Sequence, residues 1–377
     1  MKYICEFYIP VPNDEGRYYA LSACDKATYV HSVLNRLGYD IEIISPSYAK
    51  KTSKTRTDCI NEHVRVTSGF SLGWHGNITK TLSRISAMLW LLKFLIVDCK
   101  RYEKIMIYHG VQNAPIFIIA KFFKKFHYIL EVEEIYSELM QNTGFNWRGL
   151  LEKKMFQISD SFVFASPQLE NVCNYSSKPY SIVTGSYIPA PKLSEQYSDG
   201  KMHIVYAGLI EKDKVAFKSV RIGKYLTSNY QIHIIGYGND EDIKALNDLI
   251  DIINQQAKCV VKYDGLKRGI EYSKYLQQCH IGICPLSKSA SYQNACFPSK
   301  ITSYLCNGLL VATTENAVLK SSVYKNSLLF VKDDDPQSFA TAIMSINYEK
   351  YDDPRCTIDG EDKRTLCEFK NIFGYNE

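Results

Sequence analysis

The sequence predicts an α/β protein built from two Rossmann-like halves that face each other across a cleft. Three observations lead there. A chain of 377 residues exceeds what one ordinary core organises. Strand-like and helix-like segments alternate through the first half, then begin the same alternation again. Between the halves lies GSYIPAPKLSEQYSDGK, residues 185–201, rich in proline, serine and glycine, the natural place for a linker.

The first half opens with ICEFYIPV as a strand, a helix over ATYVHSVLNRLG stopped by Gly38, and IEIIS as the next strand. Residues 50–80 are polar and weakly periodic, and read as a loop-rich segment. A helix over 80–99 leads to the strand KIMIYHG, and one over 113–126 to YILEVEE. A helix near 148–157 then precedes SFVFASP. After the linker come MHIVYAG, a helix near 215–227, YQIHIIGYG, a helix near 241–255 and CVVKYDG. A helix near 269–279, HIGICPL, a helix over 300–307 and LLVATT complete the series. Repeated strand–helix–strand order implies parallel sheets covered on both faces. Ligands of such sheets bind beyond the carboxyl ends of the strands. The expected division is 1–185, a linker at 186–200, and 201–377, with the last helix packing back on the first half.

Composition excludes several classes. A net charge of +5, with no long basic block, does not suggest nucleic acid as a partner. The twelve cysteines contain no C-x-x-C pair and no zinc-like spacing. With no signal-peptide pattern at the N-terminus, this reads as a reduced, cytoplasmic protein. The most apolar window, Ile85–Val97, is shorter than the roughly 20 residues of a spanning helix and contains Lys93. DDD at 333–335 reads as a turn and helix start rather than a metal pair, and no metal is expected.

The stretch FPSKITSYLCNG, 297–308, carries the most chemistry. Ser299 reads as an N-cap, and Lys300 stands in a first helical turn, where a cation is unfavourable unless an anion joins it. Upstream, YAGLIEKDK ends a strand at Gly208, whose missing side chain lets a ligand approach the backbone. Lys212 and Lys214 on the following loop could reach a diphosphate, or form a merely solvated loop. IIGYG lacks the third glycine of a dinucleotide fingerprint and reads as a structural turn.

In this order, YAGLIEKDK, IIGYG, IEYSKYLQQC, IGICPL and FPSKITSYLCNGLLVATTE resemble the donor domain of GT-B glycosyltransferases, especially the retaining family 4. The likeness covers about 200–345. YHGVQNAPIFIIAKFF and ILEVEEIYSEL add local likeness in the first half. The resemblance implies a nucleotide diphosphate-sugar co-substrate, a UDP-sugar first among them, with no other cofactor. Its diphosphate would lie on Ser299, Lys300 and one of Lys212 or Lys214, beside Gly208. Ser303 stands where the family places a ribose-binding glutamate, Leu209 where it places an arginine, and NACFPSK lacks the family's earlier glutamate.

The first half would hold a saccharide or lipid-linked saccharide acceptor, as in cell-surface polysaccharide (O-antigen, capsule or exopolysaccharide) biosynthesis. The catalytic expectations are His109, at a strand end, and Glu134, taken as the most inward of Glu133, Glu134 and Glu138. His109 could equally be a buried, satisfied histidine, and the three acids a helix start. Gly16 and Arg17 occupy the family's glycine-rich loop and mark an acceptor-side contact or an ordinary turn. AKFFKKFHY, with the Ile85–Val97 helix, either docks on an anionic membrane surface or is a core helix with a wet lysine face. The missing glutamates support a second reading, a non-catalytic nucleotide-sugar-binding subunit of an assembly complex.

Overall fold

A computed structural model describes residues 1–6, 13–18, 21–135, 147–174, 176–286 and 297–374. They form two compact units, Met1–Ser186 with Lys363–Glu377, and Tyr187–Asp362.

In unit 1 the strands are β1 (Lys2–Ile4), β2 (Ile41–Ser45), β3 (Arg56–Asn61), β4 (Val64–Ser68), β5 (Lys104–Tyr108), β6 (His127–Val132), β7 (Ser161–Phe164) and β8 (Tyr180–Ile182). Among the described residues they make one sheet in the order β3-β4-β2-β1-β5-β6-β7-β8. Every pairing is parallel except β3 with β4. The helices are α1 (Leu21–Arg36), α2 (Asn77–Lys93), α3 (Ala114–Lys124), α4 (Trp147–Ile158) and α5 (Pro167–Cys173). Leu91, Phe117 and Phe156 from α2, α3 and α4 pack on Ile4, Ile107 and Leu130 of the sheet. Each such side chain contributes about 1.5–3 kcal/mol by leaving water.

The hairpin β3–β4 falls within the segment expected to be loop-rich. β3 is an edge strand with mostly exposed polar residues and an irregular register at Cys59–Asn61, so its sequence shows no apolar alternation.

Unit 2 holds β9 (Met202–Leu209), β10 (Tyr230–Tyr237), β11 (Val260–Tyr263), β12 (Ile281–Cys284), β13 (Leu310–Thr314) and β14 (Leu328–Val331). Their order is β11-β10-β9-β12-β13-β14, all parallel. Its helices are α6 (Val215–Ile222), α7 (Asp240–Gln256), α8 (Gly269–Gln278), α9 (Ser299–Cys306), α10 (Ala317–Ser321) and α11 (Pro336–Met344). Asp335 caps α11 by accepting from the amides of Gln337 and Ser338, and Asp334 pairs with Lys218. A last helix, α12 (Arg355–Phe373), begins in unit 2 and ends in unit 1. There its Arg364 donates to the Ile182 carbonyl at 2.9 Å, and the Phe373 carbonyl accepts from the Tyr39 hydroxyl at 2.6 Å.

Residues 187–200 are not a free tether. Ala190 N donates to the Cys306 carbonyl at 2.8 Å and Tyr197 N to the Gln278 carbonyl at 2.9 Å. The Tyr197 ring lies 4.1 Å from the His203 ring, and His203 bonds Asp199 and His233, each at 2.9 Å. Proline and serine mark this segment as irregular, but say nothing of an aromatic anchor supplied by distant strands. The described cysteines are free thiols, and no described helix is long and apolar enough to cross a membrane.

Candidate functional site

The order in which parallel strands are added reverses between β1 and β5 in unit 1 and between β9 and β12 in unit 2. The crevice at such a switch point, beyond the carboxyl ends of the strands, is where open α/β sheets take ligands.

At the switch point of unit 2 the structure brings Gly208 and Lys300 together. Gly208 is the penultimate residue of β9, and a Cβ added there would lie 2.4 Å from Lys300 Cε and 3.0 Å from its Nζ. Lys300 Nζ stands 5.5 Å from the centre of the Tyr206 ring. Burial pushes the Cys284 thiol at the end of β12 up to about 11, with the Lys300 charge opposing the shift. The neighbouring glycine is structural. At Gly236, paired with Gly208, a Cβ would meet the Gly208 carbonyl oxygen at 1.8 Å, so only glycine lets β10 pass.

Ser299 is the first residue of α9 and not its cap. Pro298 occupies the cap position and provides no side-chain hydrogen bond. The proline side chain has no oxygen to offer, and its carbonyl accepts from Ile301 N at 3.0 Å, so among the described residues no side chain caps the amides of this helix start while Lys300 adds positive charge. The start of α7 is the opposite case. Asn239 accepts from Asp242 N, and Asp240, Glu241 and Asp242 fill its first turn. Of the two helix starts, only α9 favours an anion.

Lys214 is the cap residue of α6, also without a side-chain bond, and its ammonium leans toward Glu211 at 3.7 Å. Lys212 N donates to Asp242 at 3.0 Å. Both lysine side chains are exposed on the loop after Gly208. Ser303 is half-buried, and its hydroxyl meets that of Tyr272 at 3.0 Å. Tyr272 escaped the sequence reading, since nothing in its spacing on α8 marks it.

Gly208→Ala isolates the contact between strand end and lysine. The neighbouring atoms are mostly the far end of a flexible side chain, but the positive φ of 158° adds backbone strain, so the domain is expected to fold with a loss of about 1–3 kcal/mol. Displacing Lys300 is expected to weaken binding of an anion at this strand end about tenfold by calorimetry. Unchanged affinity would show that the lysine acts independently of the strand end.

Unit 1 places its predicted residues differently. His109 is only 2% exposed. Its Nδ1 lies 3.2 Å from the Glu134 carbonyl oxygen and its Nε2 is 3.3 Å from the buried Glu152 carboxylate. With Nδ1–H donating to the carbonyl, the close approach to Glu152 needs a second proton, on imidazole or carboxyl. Burial lowers the His109 pKa while Glu152 opposes that. His109 thus couples β5 to α4 and holds the chain after β6. Glu134 contributes its backbone carbonyl there. Glu133 pairs with Lys26, and Glu138 lies outside the described residues.

Arg17 is buried. Its guanidinium donates to the Ser47 and Gly69 carbonyls, both at 2.8 Å, and to Glu15 at 2.6 Å. Gly16 closes a turn with its N–H on the Asn13 carbonyl at 3.0 Å. The pair forms the ordinary polar turn.

The group that sequence reasoning missed is Glu6, just beyond β1 at the switch point. A Cβ on Gly110 would sit 2.6 Å from Glu6 Oε1, so the glycine after β5 makes room for the carboxyl. Asn113, at the start of α3, donates its side-chain amide to the same oxygen. Burial pushes the Glu6 carboxyl up to about 7, against the pull of the Asn113 amide and the Arg84 charge. The available signal was a lone acid ending an otherwise apolar strand. On β6, burial also pushes Glu131 up to about 7, opposed by Lys26, and Tyr3 donates its hydroxyl to that carboxylate.

No protein-family model and no curated protein matches the sequence. Solved structures do match. A sucrose-phosphate synthase from Thermosynechococcus elongatus is 13% identical, with a TM-score of 0.63 over 98% of this chain and 95% of its own. A UDP-forming α,α-trehalose-phosphate synthase from Burkholderia xenovorans, solved with glucose-6-phosphate, is 9% identical, with a TM-score of 0.62 over 99% and 98%. The HepE protein of Anabaena, solved with UDP and glucose, is 8% identical, with a TM-score of 0.61 over 98% and 97%. At these identities the likeness is one of fold. That fold is the α/β architecture called GT-B.

Proposed function

We propose that this protein is a glycosyltransferase that moves a sugar from a nucleotide diphosphate-sugar to a saccharide or lipid-linked saccharide. The observation that carries the reading is Lys300 laid against Gly208 at the switch point of unit 2, beside a helix start without a side-chain cap. A diphosphate there receives backbone amides, a helix dipole and an ammonium together. As the bond between the anomeric carbon and the phosphate oxygen breaks, charge grows on that oxygen, and Lys300 is placed to stabilise it. Lys212 and Lys214 add charge from the neighbouring loop, and the Ser303–Tyr272 hydroxyl pair is assigned to the nucleotide's ribose.

In unit 1 we assign Glu6 to the acceptor hydroxyl, since a carboxyl titrating near neutrality can accept and return a proton. The solved neighbours named for UDP and UDP-forming synthesis favour uridine as the base. Retention of configuration, cell-surface polysaccharide as the product and the placement in family 4 rest on the resemblance of the second half to that family, independence from metal rests on the reading of DDD at 333–335 as a turn and helix start, and all belong to the same proposal. So does a cytoplasmic site of action at the inner membrane face.

A thermal-shift screen with the diphosphates of uridine, guanosine, adenosine and thymidine, and their sugars, tests the donor. Stabilisation by one nucleotide is expected. No response to any of them would overturn the reading. Leu209 and Ser303, where the family has charged residues, favour a second reading as a donor-binding subunit without turnover. Transfer or hydrolysis of a bound sugar by the purified chain excludes it.

A further inference from the structure

We propose that the outer face of the helical layer α2–α3–α4 in unit 1 docks on an anionic lipid bilayer. The three helices lie side by side, α2 against α3 and α3 against α4, and share one buried core. Their outer side is also apolar. Along α2, Ile78, Leu82 and Leu89 are 81%, 51% and 60% exposed. Phe122 and Phe123 on α3 are 79% and 59% exposed, and Trp147 on α4 is 55% exposed. Large side chains this open on three adjoining helices form a patch, unlike the scattered apolar residues of an ordinary surface.

Charge identifies the occupant. Glu152, the one acid within the three helices, is fully buried beside His109, and Asp98, exposed on the π-helical continuation of α2 (Phe94–Asp98), is outnumbered by the cations around it. Lys93, Arg148, Lys153 and Lys154, with Lys125 just beyond α3, are all exposed. A second copy of this face would set cations against cations. An anionic bilayer meets both features, with aromatic rings at the acyl boundary and cations among the phosphates. The proposal deepens the reading above by bringing the protein to lipid-linked acceptors. It stands apart in its test, which contains no donor and no acceptor.

The intact chain is sedimented with phosphatidylglycerol vesicles and with phosphatidylcholine vesicles, at low and high salt. Binding is expected to the anionic vesicles alone and to weaken with salt. Phe122→Ser with Phe123→Ser is expected to lower partitioning about tenfold or more. Reversing Lys125, Lys153 and Lys154 to glutamate is expected to lower it roughly a hundredfold or more. Melting temperature should be unaltered in both, since these side chains are exposed. A native chain that stays in the supernatant with phosphatidylglycerol overturns the proposal, as do variants that pellet like the native chain. A dimer abolished by Phe122→Ser, without lipid binding, would assign the face to a second copy and overturn it too. Vesicle binding without a thermal shift from any of the nucleoside diphosphates would leave the docking intact and remove the transferase.

Discussion

Lys300→Ala is expected to abolish stabilisation of the protein by nucleoside diphosphates. A charge-assisted hydrogen bond to phosphate contributes about 1.5–3 kcal/mol, roughly ten- to hundredfold in Kd. At a ligand concentration of about 100 Kd, the native protein gains about 2.7 kcal/mol, a rise of roughly 5–10 °C in a domain of this size. Weakening Kd a hundredfold leaves about 0.4 kcal/mol, which a melting curve barely registers. The unliganded variant should melt near the native temperature. Lys300 is half-buried, and among the described residues its ammonium makes only the distant approach to the Tyr206 ring, so truncation orphans no buried partner among them. Undiminished stabilisation of Lys300→Ala by the preferred nucleotide would remove the diphosphate from α9. A matching loss in Lys214→Ala, with Lys300→Ala unchanged, would move it to α6.

The lysine was legible in the sequence because it broke a local rule. A cation in a first helical turn opposes the helix dipole, and an anion resolves the conflict. What the sequence did not contain was the distant partner. Gly208 and Lys300 meet only because β9 and β12 are neighbours in the sheet while their loops turn in opposite directions. The strands IGIC and LVATT were readable for a similar local reason, since fully buried parallel strands appear as short apolar runs. β3 was unreadable because an exposed edge strand has no such pattern.

Ser299 was displaced by one position, the usual uncertainty of a helix boundary, with the chemical consequence that no side chain caps α9. In unit 1 the sequence offered polar residues in suggestive places, and the fold had already used several of them. Arg17 spends its donors on two backbone carbonyls and on Glu15, and His109 is held between the Glu134 carbonyl and the Glu152 carboxylate. Such satisfaction depends on contacts far along the chain, which residue types and spacing do not encode.

Glu6→Gln should separate stability from activity. Folding raises this carboxyl from its ordinary 4.5 to about 7. Between those values the folded state binds more protons than the unfolded state, so Glu6's contribution falls as pH rises and is least favourable above 7. The full gap corresponds to about 3 kcal/mol, and partial exposure reduces it to about 1–2 kcal/mol. Glutamine keeps the shape and still accepts from Asn113, without a charge to desolvate. The variant is therefore expected to melt higher than the native chain at pH 8, by roughly 3–6 °C, and to match it at pH 4, where the native carboxyl is protonated in both states.

Activity should move the other way, falling about a hundredfold as the limb of the pH–rate profile near neutrality disappears. Glu131 provides the control. It also titrates near 7, but it is completely buried and bonded to Tyr3, so it reaches no substrate. Glu131→Gln should change stability and leave the pH–rate limb in place. If the limb follows Glu131 instead, or survives in Glu6→Gln, then Glu6 is a strained structural carboxyl and the acceptor's proton goes elsewhere.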